Sequence, residues 1–237
     1  MTSMGEQQGR VLVVDDDDTV RDVVRRYLER AGFDVVLAGD GDEALRQFAA
    51  RPPDLVVLDV MMPGKSGLDV CRELRKTSDV PIVMLTALGE EENRIAGLQL
   101  GADDYVTKPF SPRELALRVA SVLRRARWMA PEPAQRELSD GDLRLDLAAR
   151  KATLAGADLA LTTREFDLLA FFLSHAGTAF SRTDLLAKVW GWDFGDQSTV
   201  TVHVRRLREK IEPDPAAPTR VATVWGVGYR YDPVEQP

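Results

Sequence analysis

The 237-residue sequence predicts two domains of different class, an α/β domain built on a parallel sheet and an α+β domain after it. In the first half, short apolar runs alternate with amphipathic stretches, which is the pattern of βα units. The stretch Arg127-Trp-Met-Ala-Pro-Glu-Pro-Ala-Gln-Arg-Glu137 then breaks the periodicity with two prolines, and no regular element runs through such a segment. Half-exposed strands and three helices follow. We therefore expect domains at residues 8–127 and 137–233, joined by a linker at 128–136.

The strands of the first domain are predicted by five apolar runs. They are Val11–Val14, Val35–Ala38, Leu55–Leu58, Ile82–Leu85 and the weaker Tyr105–Val106. Between them, an apolar stripe of helical period indicates a helix; its members are Val20, Val23, Val24, Tyr27 and Leu28. The last helix begins at Ser111-Pro-Arg-Glu114, which supplies a capping serine, a first-turn proline and a glutamate three residues on. Glu90–Leu100 has few apolar anchors, so its helix is expected to be the least firmly held.

The second domain has a different pattern of elements. Leu143, Leu145 and Leu147 alternate with polar residues, as in a half-exposed strand, and a turn at Gly156 leads to another strand. Three helices are predicted next: one beginning at Thr162-Thr-Arg-Glu165, one at Ser181–Trp190 and one over roughly Thr199–Ile211. Alternation through Arg220–Tyr231, with glycines near its centre, predicts a hairpin at the end.

The composition limits the classes of partner and compartment. A net charge of −7 argues against a partner as acidic as nucleic acid unless basic surface is concentrated locally. The longest apolar run, Leu168–Leu173, is far shorter than a membrane span, so we expect no membrane segment and no export. Cys71 is the only cysteine, which excludes an internal disulfide and fits the reducing cytosol. We expect a cytoplasmic protein.

Polar side chains follow the predicted strands at the edge where an open α/β sheet binds its ligands. Asp15 and Asp16 follow the first strand, Asp59 the third, Thr86 the fourth and Lys108 the fifth. Clustered carboxylates repel one another without a cation, and Mg²⁺ suits them because it takes hard oxygen ligands and keeps open positions. A carboxylate can attack a phosphoryl group to form an acyl phosphate, while lysine and metal offset the charge. The pattern favours a phosphoacceptor site.

Two other enzyme motifs lack a defining residue. Gly64-Lys-Ser66 resembles the end of a P-loop, but the glycine needed five positions earlier is replaced by Asp59. A haloacid-dehalogenase-like phosphatase would need an aspartate two residues after its nucleophile, where Met61 stands. Taken singly, an aspartate after a strand is more often a turn former, and a lone lysine is a surface group. Because such residues follow four separate strands at one edge of the sheet, the pattern as a whole favours a functional site.

Motifs in both halves resemble those of bacterial two-component response regulators. In the first half they are Val11-Leu-Val-Val-Asp-Asp16, Leu58-Asp-Val-Met-Met-Pro-Gly64, Met84-Leu-Thr-Ala87 and Gly101-Ala-Asp-Asp-Tyr-Val-Thr-Lys-Pro-Phe110. In the second half they are Thr162-Thr-Arg-Glu-Phe166, Val200-Thr-Val-His-Val-Arg-Arg-Leu-Arg208 and Gly226-Val-Gly-Tyr-Arg230, which look like the OmpR/PhoB subfamily. The resemblance implies a flavodoxin-like (βα)5 receiver, with strand order 2-1-3-4-5, and a winged helix-turn-helix effector domain.

The same resemblance implies roles for individual receiver residues. Asp59 is the expected phosphoacceptor, and the Mg²⁺ ligands are expected to be Asp15, Asp16, Asp59 and the backbone carbonyl of Met61. Thr86 and Tyr105 match the family's switch pair. Lys108 matches the phosphate-binding lysine, whose bond to the following proline is typically cis.

The resemblance also implies a homodimer formed on phosphorylation. In this family, ion pairs between subunits hold the dimer through the face formed by the fourth helix, the fifth strand and the fifth helix of the receiver. Arg94 with Glu114, and Asp104 with Arg118, match positions used in that way. Exposed pairs contribute little singly, so we expect them to fix orientation as a set.

A helical wheel of the third helix in the second domain separates a core face from an outward face. The expected core residues are Val200, Val204, Leu207 and Ile211, and the outward ones are Thr201, Val202, Arg205, Arg206 and Arg208. Arginines suit guanine edges or phosphates, and an apolar side chain suits a thymine methyl, which predicts a recognition helix for the major groove. His203 is expected to pack or to contact a phosphate.

The hairpin adds Thr223 and Arg230 as candidate DNA contacts. Two departures from the family stand out. Ser198 and Thr201 replace the arginine and aspartate of many relatives, and Trp225 stands where a basic residue often enters the minor groove. The hairpin contacts of another member therefore cannot be transferred directly.

The sequence thus predicts a cytoplasmic, phosphorylation-activated transcription factor that is not an enzyme. Its expected partners are a sensor histidine kinase, double-stranded promoter DNA, RNA polymerase and a second copy of itself, with no membrane. One alternative is an aspartyl-phosphate phosphotransfer enzyme or phosphatase. The other is a DNA binder that works without phosphorylation.

Overall fold

The computed structural model describes residues 9–87, 91–128, 137–191 and 196–234, without the side chains of residues 91–95 and 124–128. Residues 129–136 of the expected linker lie outside the described part. The chain forms two compact units, residues 1–124 and 125–237. None of the helices in the described ranges is long and apolar enough to cross a membrane.

The first unit contains a parallel five-stranded sheet with helices between successive strands. Its strands are β1 (Arg10–Val14), β2 (Asp34–Ala38), β3 (Leu55–Asp59), β4 (Ile82–Ala87) and β5 (Asp104–Lys108). Its helices are α1 (Asp18–Arg30), α2 (Gly41–Ala50), α3 (Gly67–Arg75), α4 (Glu91–Leu100) and α5 (Pro112–Trp128). The strand order is β2-β1-β3-β4-β5, so the flavodoxin-like prediction is confirmed.

Burial and capping explain why these segments fold as they do. Leu55–Asp59 is buried along its whole length, as expected of a central strand covered on both faces. Asp17 caps α1 by accepting from the backbone N–H of Thr19 at 2.7 Å and of Val20 at 3.3 Å. The sheet residues and the inner faces of α1 and α5 form a shared core. These helices hold the carboxyl ends of the strands in fixed positions.

In its described residues, the second unit contains two antiparallel sheets and three helical segments. Strands β6 (Glu137–Asp140), β7 (Leu143–Asp146), β8 (Lys151–Leu154) and β9 (Ala157–Asp158) form one sheet in that order. Strands β10 (Ala179–Ser181), β11 (Val221–Val224) and β12 (Gly228–Tyr231) form the other, with β12 in the middle. The helices are α6 (Thr163–Ser174), α7 (Arg182–Leu185), which continues into a π-helical turn at Leu186–Trp190, and α8 (Ser198–Ile211).

Capping boxes fix the starts of two of these helices. The Thr162 side chain accepts from the N–H of Glu165, whose carboxylate accepts from the N–H of Thr162 in return. Ser181 and Asp184 form the same arrangement at the start of α7. Trp190 is fully buried in a core made by both sheets and all three helical segments. This packing confirms the predicted winged helix-turn-helix fold.

Candidate functional site

The carboxyl ends of four strands bring the predicted phosphoacceptor residues together. Asp15 follows β1 and Asp59 ends β3, and both side chains are buried. Lys108 ends β5 and bridges them: its Nζ lies 2.7 Å from Asp15 Oδ2 and 3.1 Å from Asp59 Oδ1. Thr86 is buried on β4, one residue beyond Leu85, the residue that pairs with Asp59. Parallel pairing places all four at one edge.

Asp16 completes a cluster of three carboxylates at this edge. One carboxylate oxygen from each of Asp15, Asp16 and Asp59 lies within 4.8 Å of the others. Asp15 is held in place because the N–H of Asp17 donates to its Oδ1 at 3.0 Å, and Arg21 donates to its carbonyl oxygen. Three carboxylates against one bridging ammonium group leave excess negative charge. Such an oxygen donor set fits a hard divalent cation.

Burial and neighbouring charge act on the nucleophile candidate in the same direction. Removal from water, and then the charge of Asp15, raise the pKa of Asp59 to about 6, although Lys108 opposes both. Burial alone would lower the pKa of Lys108, but its bonds to Asp15 and Asp59 outweigh burial and raise it. Lys108 is therefore protonated at neutral pH, while the charged form of Asp59 is less stable than that of an exposed aspartate.

The loop after β3 brings the start of α3 close to the backbone of Asp59. A Cβ at Gly67 would lie 2.0 Å from the carbonyl oxygen of Asp59, so only glycine allows α3 to start this close. The side chain of Met61 is exposed. Lys65 pairs with Asp42 at 2.7 Å on the surface, so its ammonium group is engaged away from the acid cluster. Lys65 is thus turned away from the acid cluster, which agrees with the prediction that Gly64-Lys-Ser66 is not part of a P-loop.

The remaining receiver residues lie where the resemblance implies. Tyr105 is buried on β5, and the Lys108–Pro109 bond is cis. Beside the acid cluster lies an apolar cavity of about 290 Å³. Its lining residues are Asp17, Thr19, Val20, Val23, Val24, Lys108, Pro109, Phe110 and Pro112.

Helix α8 of the second unit presents a narrower outward face than the wheel predicts. The predicted core residues Val200, Val204, Leu207 and Ile211 are all buried. Thr201 is exposed, and the side chain of Arg205 is 66% exposed with its Nε 3.1 Å from Glu209 Oε1. Together with the exposed Glu209, these residues form the outer surface of the helix.

Two residues assigned to the outward face lie inside the domain, which corrects the wheel. Val202 is only 9% exposed, and Arg206 Nη2 lies 2.8 Å from Oε1 of the buried Glu165. On the wheel they lie about 200° and about 240° from Val200. Glu165 of α6 pairs with Arg206 on that side, so the buried arc is wider than the apolar residues alone indicate. His203 is fully buried against Trp190, with ring centroids 5.1 Å apart, so it packs and makes no phosphate contact.

The hairpin candidates are engaged within the domain. Arg208 Nη2 donates to the carbonyl of Val221 at 2.5 Å and to Thr223 Oγ1 at 2.9 Å. Arg230 forms an ion pair with Asp232 at 2.5 Å. Arg182 of α7, which the sequence reasoning missed, donates to Thr201 Oγ1 at 3.3 Å and lies over the Tyr229 ring. Its only sequence signal was a position next to a capping serine.

Known families match both units of the chain. Residues 11–120 match the response regulator receiver domain, and residues 156–231 match the C-terminal domain of transcriptional regulatory proteins. The transcriptional regulatory protein ResD of Bacillus subtilis is 43% identical over 229 residues, which cover 94% of this chain and 95% of ResD. The crystal structure of DrrB, a Thermotoga maritima OmpR/PhoB homolog, is 34% identical, with a TM-score of 0.51 and coverage of 94% and 98%. The chain is a response regulator of the OmpR/PhoB family.

Other relatives of this response regulator are similarly close. The sensory transduction protein RegX3 of Mycobacterium tuberculosis is 43% identical over 223 residues, covering 94% of this chain and 98% of RegX3. The probable transcriptional regulator ycf27 of Pyropia yezoensis is 46% identical over 234 residues, covering 96% of each. A RitR variant, 24% identical with a TM-score of 0.76 over 95% of this chain and 100% of that one, shares the fold.

One of the ion pairs expected between subunits, Asp104 with Arg118, also forms within the chain of this response regulator. Arg118 Nη1 donates to Asp104 Oδ2 at 3.0 Å, and its Nη2 donates to Glu114 Oε1 at 2.8 Å. Asp104 and Arg118 are both buried. One arginine fork reaches both acids within the chain, and the expected pairing of Asp104 with Arg118 between subunits stays a prediction. The side chain of Arg94 lies outside the described residues.

Proposed function

We propose that this response regulator is a phosphorylation-activated transcription factor whose phosphoacceptor is Asp59. The supporting observation is the sheet edge where Lys108 bridges Asp15 and Asp59 inside a cluster of three carboxylates. The proposed domain boundaries are residues 8–127 for the receiver, 128–136 for the linker and 137–233 for the effector. The donor is a sensor histidine kinase, and the effector binds double-stranded promoter DNA.

In the proposed reaction, a carboxylate oxygen of Asp59 attacks the phosphorus of a phosphohistidine. An acyl phosphate forms, the phosphorus–nitrogen bond breaks, and the imidazole leaves with the electron pair. Lys108 already lies 3.1 Å from Asp59 and places its positive charge where the phosphoryl oxygens arrive. Mg²⁺, held by Asp15, Asp16, Asp59 and the Met61 carbonyl, would offset the charge of the carboxylates and of the phosphoryl group. Thr86 is the proposed hydrogen-bond donor to the new phosphoryl group and Tyr105 the switch aromatic.

The apolar cavity beside the acid cluster is the proposed contact for the kinase. A protein donor must approach Asp59 along this edge, and an apolar surface there gains free energy when covered. Val20 and Val23 on α1, with Pro109 and Phe110 after β5, supply that surface. We expect no turnover by the chain itself, since Asp59 is the acceptor of the group and not a catalyst of its transfer.

Dimerisation is proposed through the face made by α4, β5 and α5. Leu117 of α5 is 60% exposed there, next to the buried Arg118. Because Arg118 ties α5 to β5 through Asp104, the internal ion pairs set the shape of this face. Dimers join two modest DNA contacts into one stronger one, and RNA polymerase is the further proposed partner at the promoter.

Phosphodonor-stimulated DNA binding tests this function in one experiment. The full chain is treated with Mg²⁺ and a small acyl-phosphate donor, its mass is measured, and its binding to DNA upstream of its own gene is followed by gel shift. We expect one added phosphoryl group and tighter binding, both lost in Asp59→Asn. Arg205→Ala is expected to accept the phosphoryl group normally and to bind roughly tenfold more weakly, as loss of a base or phosphate contact predicts.

Arg144→Ala is the matched control, because Arg144 is an equally exposed effector arginine in an ion pair with Glu137. Its DNA binding is expected to match that of the unchanged protein. Labelling that survives in Asp59→Asn would refute the site. Normal labelling without any DNA binding would favour the phosphotransfer enzyme, and equal binding with and without donor would favour the phosphorylation-independent binder.

A further inference from the structure

An arginine one turn into α1 folds back onto the loop that carries the acid cluster. The Nη1 of Arg21 donates to the carbonyl oxygen of Asp15, and its Nη2 donates to Oδ1 of Asp18. Only 14% of the Arg21 side chain is exposed, so its charge depends on these partners. Side chains on a helix point towards its N-terminal end, which is why an arginine at this position reaches the end of β1.

The carbonyl that Arg21 holds belongs to the peptide group between two acids of the cluster. Asp15 supplies the C=O of this group and Asp16 supplies its N–H. Because a peptide group is planar, holding its oxygen restricts ψ of Asp15 and φ of Asp16 together. Asp16 is exposed, and the direction of its carboxylate follows the orientation of this plane. Arg21 therefore acts on the relative orientation of the two carboxylates.

Other hydrogen bonds hold the remaining polar groups of Asp15. Its N–H donates to the carbonyl oxygen of the last residue of β2 at 3.3 Å. Its Oδ1 accepts from the N–H of Asp17 at 3.0 Å, and its Oδ2 accepts from Lys108 at 2.7 Å. None of these three contacts is made to the peptide group that leads to Asp16. Arg21 supplies that contact.

The guanidinium group of Arg21 also lies against the end of the neighbouring strand. A Cβ at Gly39, the residue after β2, would lie 3.5 Å from both Nη1 and Nη2 of Arg21. The guanidinium plane is therefore within van der Waals range of this backbone. Contacts to the ends of β1 and β2 together hold the planar fork in one orientation, which a flexible ammonium group would not keep.

The charge of Arg21 and its hydrogen bond to Asp15 act on metal binding in opposite directions. A cation beside the acid cluster repels a divalent ion and so weakens its binding. The ion pair with Asp18 offsets this charge, and the Asp18 side chain is 89% exposed, so water screens the pair. Ordering of the Asp15–Asp16 peptide strengthens metal binding instead. The sign of the effect of removing Arg21 therefore shows which contribution is larger.

We propose that Arg21 is a positioning residue for the divalent cation of the phosphoacceptor site, because it holds the Asp15–Asp16 peptide so that both carboxylates face one ion. This inference rests on the proposed function, in which Mg²⁺ binds there. Arg21 needs no contact with the ion or with the phosphoryl group for this role. Removing a residue that orients metal ligands typically weakens metal binding about 10–100-fold.

Titration of the metal-free full chain with Mg²⁺ at constant ionic strength tests the proposal. Backbone amide NMR shifts of the ¹⁵N-labelled chain give the dissociation constant of Mg²⁺. Mass spectrometry gives the rate of labelling by a small acyl-phosphate donor at each Mg²⁺ concentration. For Arg21→Met we expect roughly tenfold weaker Mg²⁺ binding. The labelling rate at saturating Mg²⁺ should match that of the unchanged chain, because Asp59 and Lys108 are still present.

Arg25→Met is the matched control, because Arg25 lies one turn further along α1 and forms the same kind of ion pair, with Asp22 at 2.8 Å. It removes an equal charge, and its Mg²⁺ dissociation constant should match that of the unchanged chain. Arg21→Lys keeps the charge but replaces the planar fork with one ammonium group. It should bind Mg²⁺ more weakly than the unchanged chain and more tightly than Arg21→Met. Circular dichroism melts without metal check that each variant is folded.

Failure of this inference is distinguishable from failure of the proposed function. Unchanged or tighter Mg²⁺ binding by Arg21→Met would overturn the positioning role, since tighter binding is what a purely electrostatic role predicts. Equal weakening in Arg25→Met would overturn it as well, and so would a lower labelling rate at saturating Mg²⁺ with unchanged binding. Each of these results leaves the phosphoacceptor function intact. Absence of Mg²⁺ binding and of Mg²⁺-dependent labelling in the unchanged chain would overturn the proposed function and this inference together.

Discussion

Asp59 in the receiver and Glu165 in the effector are both buried acids, but their pKa values shift in opposite directions. At the receiver edge, Asp15 and Asp59 share the ammonium group of Lys108, and burial raises the pKa of Asp59 to about 6. In the effector, burial alone would raise the pKa of Glu165, but two cations lower it below its usual value. The excess of buried acid around Asp59 belongs to a site for chemistry, whereas the matched charges around Glu165 form a structural joint between two helices.

Glu165 shows what matched charge does. Its Oε1 lies 2.8 Å from Arg206 and its Oε2 lies 2.6 Å from Lys210, both on α8. The same Oε2 accepts from the N–H of Thr162 at the start of α6. One carboxylate therefore caps one helix and holds the other by two ion pairs.

Replacing Glu165, which joins α6 to α8, is expected to have the largest effect on the unfolding free energy. Glu165→Ala leaves Arg206 and Lys210 without their buried partner, and breaking such a pair costs roughly 3–5 kcal/mol of unfolding free energy. Glu209→Ala is the matched control, since Glu209 pairs with the exposed Arg205 and such a pair contributes about 0–1 kcal/mol. Tryptophan fluorescence during urea unfolding measures both, because all four tryptophans lie at residue 128 or beyond. Equal losses of unfolding free energy in the two variants would contradict the conclusion that Glu165 joins α6 to α8.

His203 supplies the next prediction, a pH dependence confined to the effector. Burial lowers its pKa from 6.5 to about 4, so the unfolded chain takes up a proton at a higher pH than the folded one. Above pH 6.5, His203 is neutral in both states and does not lower the unfolding free energy. As the pH drops to 4, protonation of the unfolded chain lowers the unfolding free energy by roughly 3 kcal/mol in total. Other groups also titrate between pH 4 and 6.5, so the contribution of His203 must be measured against a variant that lacks it.

His203→Asn isolates this effect because its amide can still donate to the carbonyl of Thr199, which lies 2.8 Å from Nδ1 in the unchanged chain. The variant loses ring packing on Trp190 and is less stable at every pH. The measured quantity is the slope: between pH 6.5 and 4, its unfolding free energy should fall less steeply than that of the unchanged protein. Parallel pH profiles would show that His203 takes up no proton on unfolding.

The contrast between the units also explains how far the sequence predicts them. In the receiver, parallel strands end at one edge by topology, so Asp15, Asp59 and Lys108 meet once the strands are known. On α8 no such rule applies. A wheel carries no information on the partner helix, so the assignments of Val202 and Arg206 to the outward face were wrong.

The smallest expected effect has the opposite sign and lies in the receiver. In the absence of metal at pH 8, Asp59→Asn removes a carboxylate that burial and Asp15 make unfavourable, while Lys108 keeps its bond to Asp15. A carboxyl group whose pKa is higher in the folded than in the unfolded state lowers the unfolding free energy when the pH is above both values. That free energy is recovered as the pH falls from 6 towards 3.8. The substitution should therefore stabilise the receiver by roughly 1–3 kcal/mol at pH 8 and by little at pH 4.

Hydrogen exchange of the β1 and β3 amides measures this gain, with Asp16→Asn as the matched control from the same cluster. Because Asp16 is exposed, its substitution should change metal-free stability by less than about 0.5 kcal/mol. Mg²⁺ at pH 8 should stabilise the unchanged receiver by binding only the folded state, and each substitution should reduce that response. Loss of stability in metal-free Asp59→Asn would mean that Lys108 already balances the cluster. The contrast with Glu165 would then disappear, because both units would hold their acids as structural pairs.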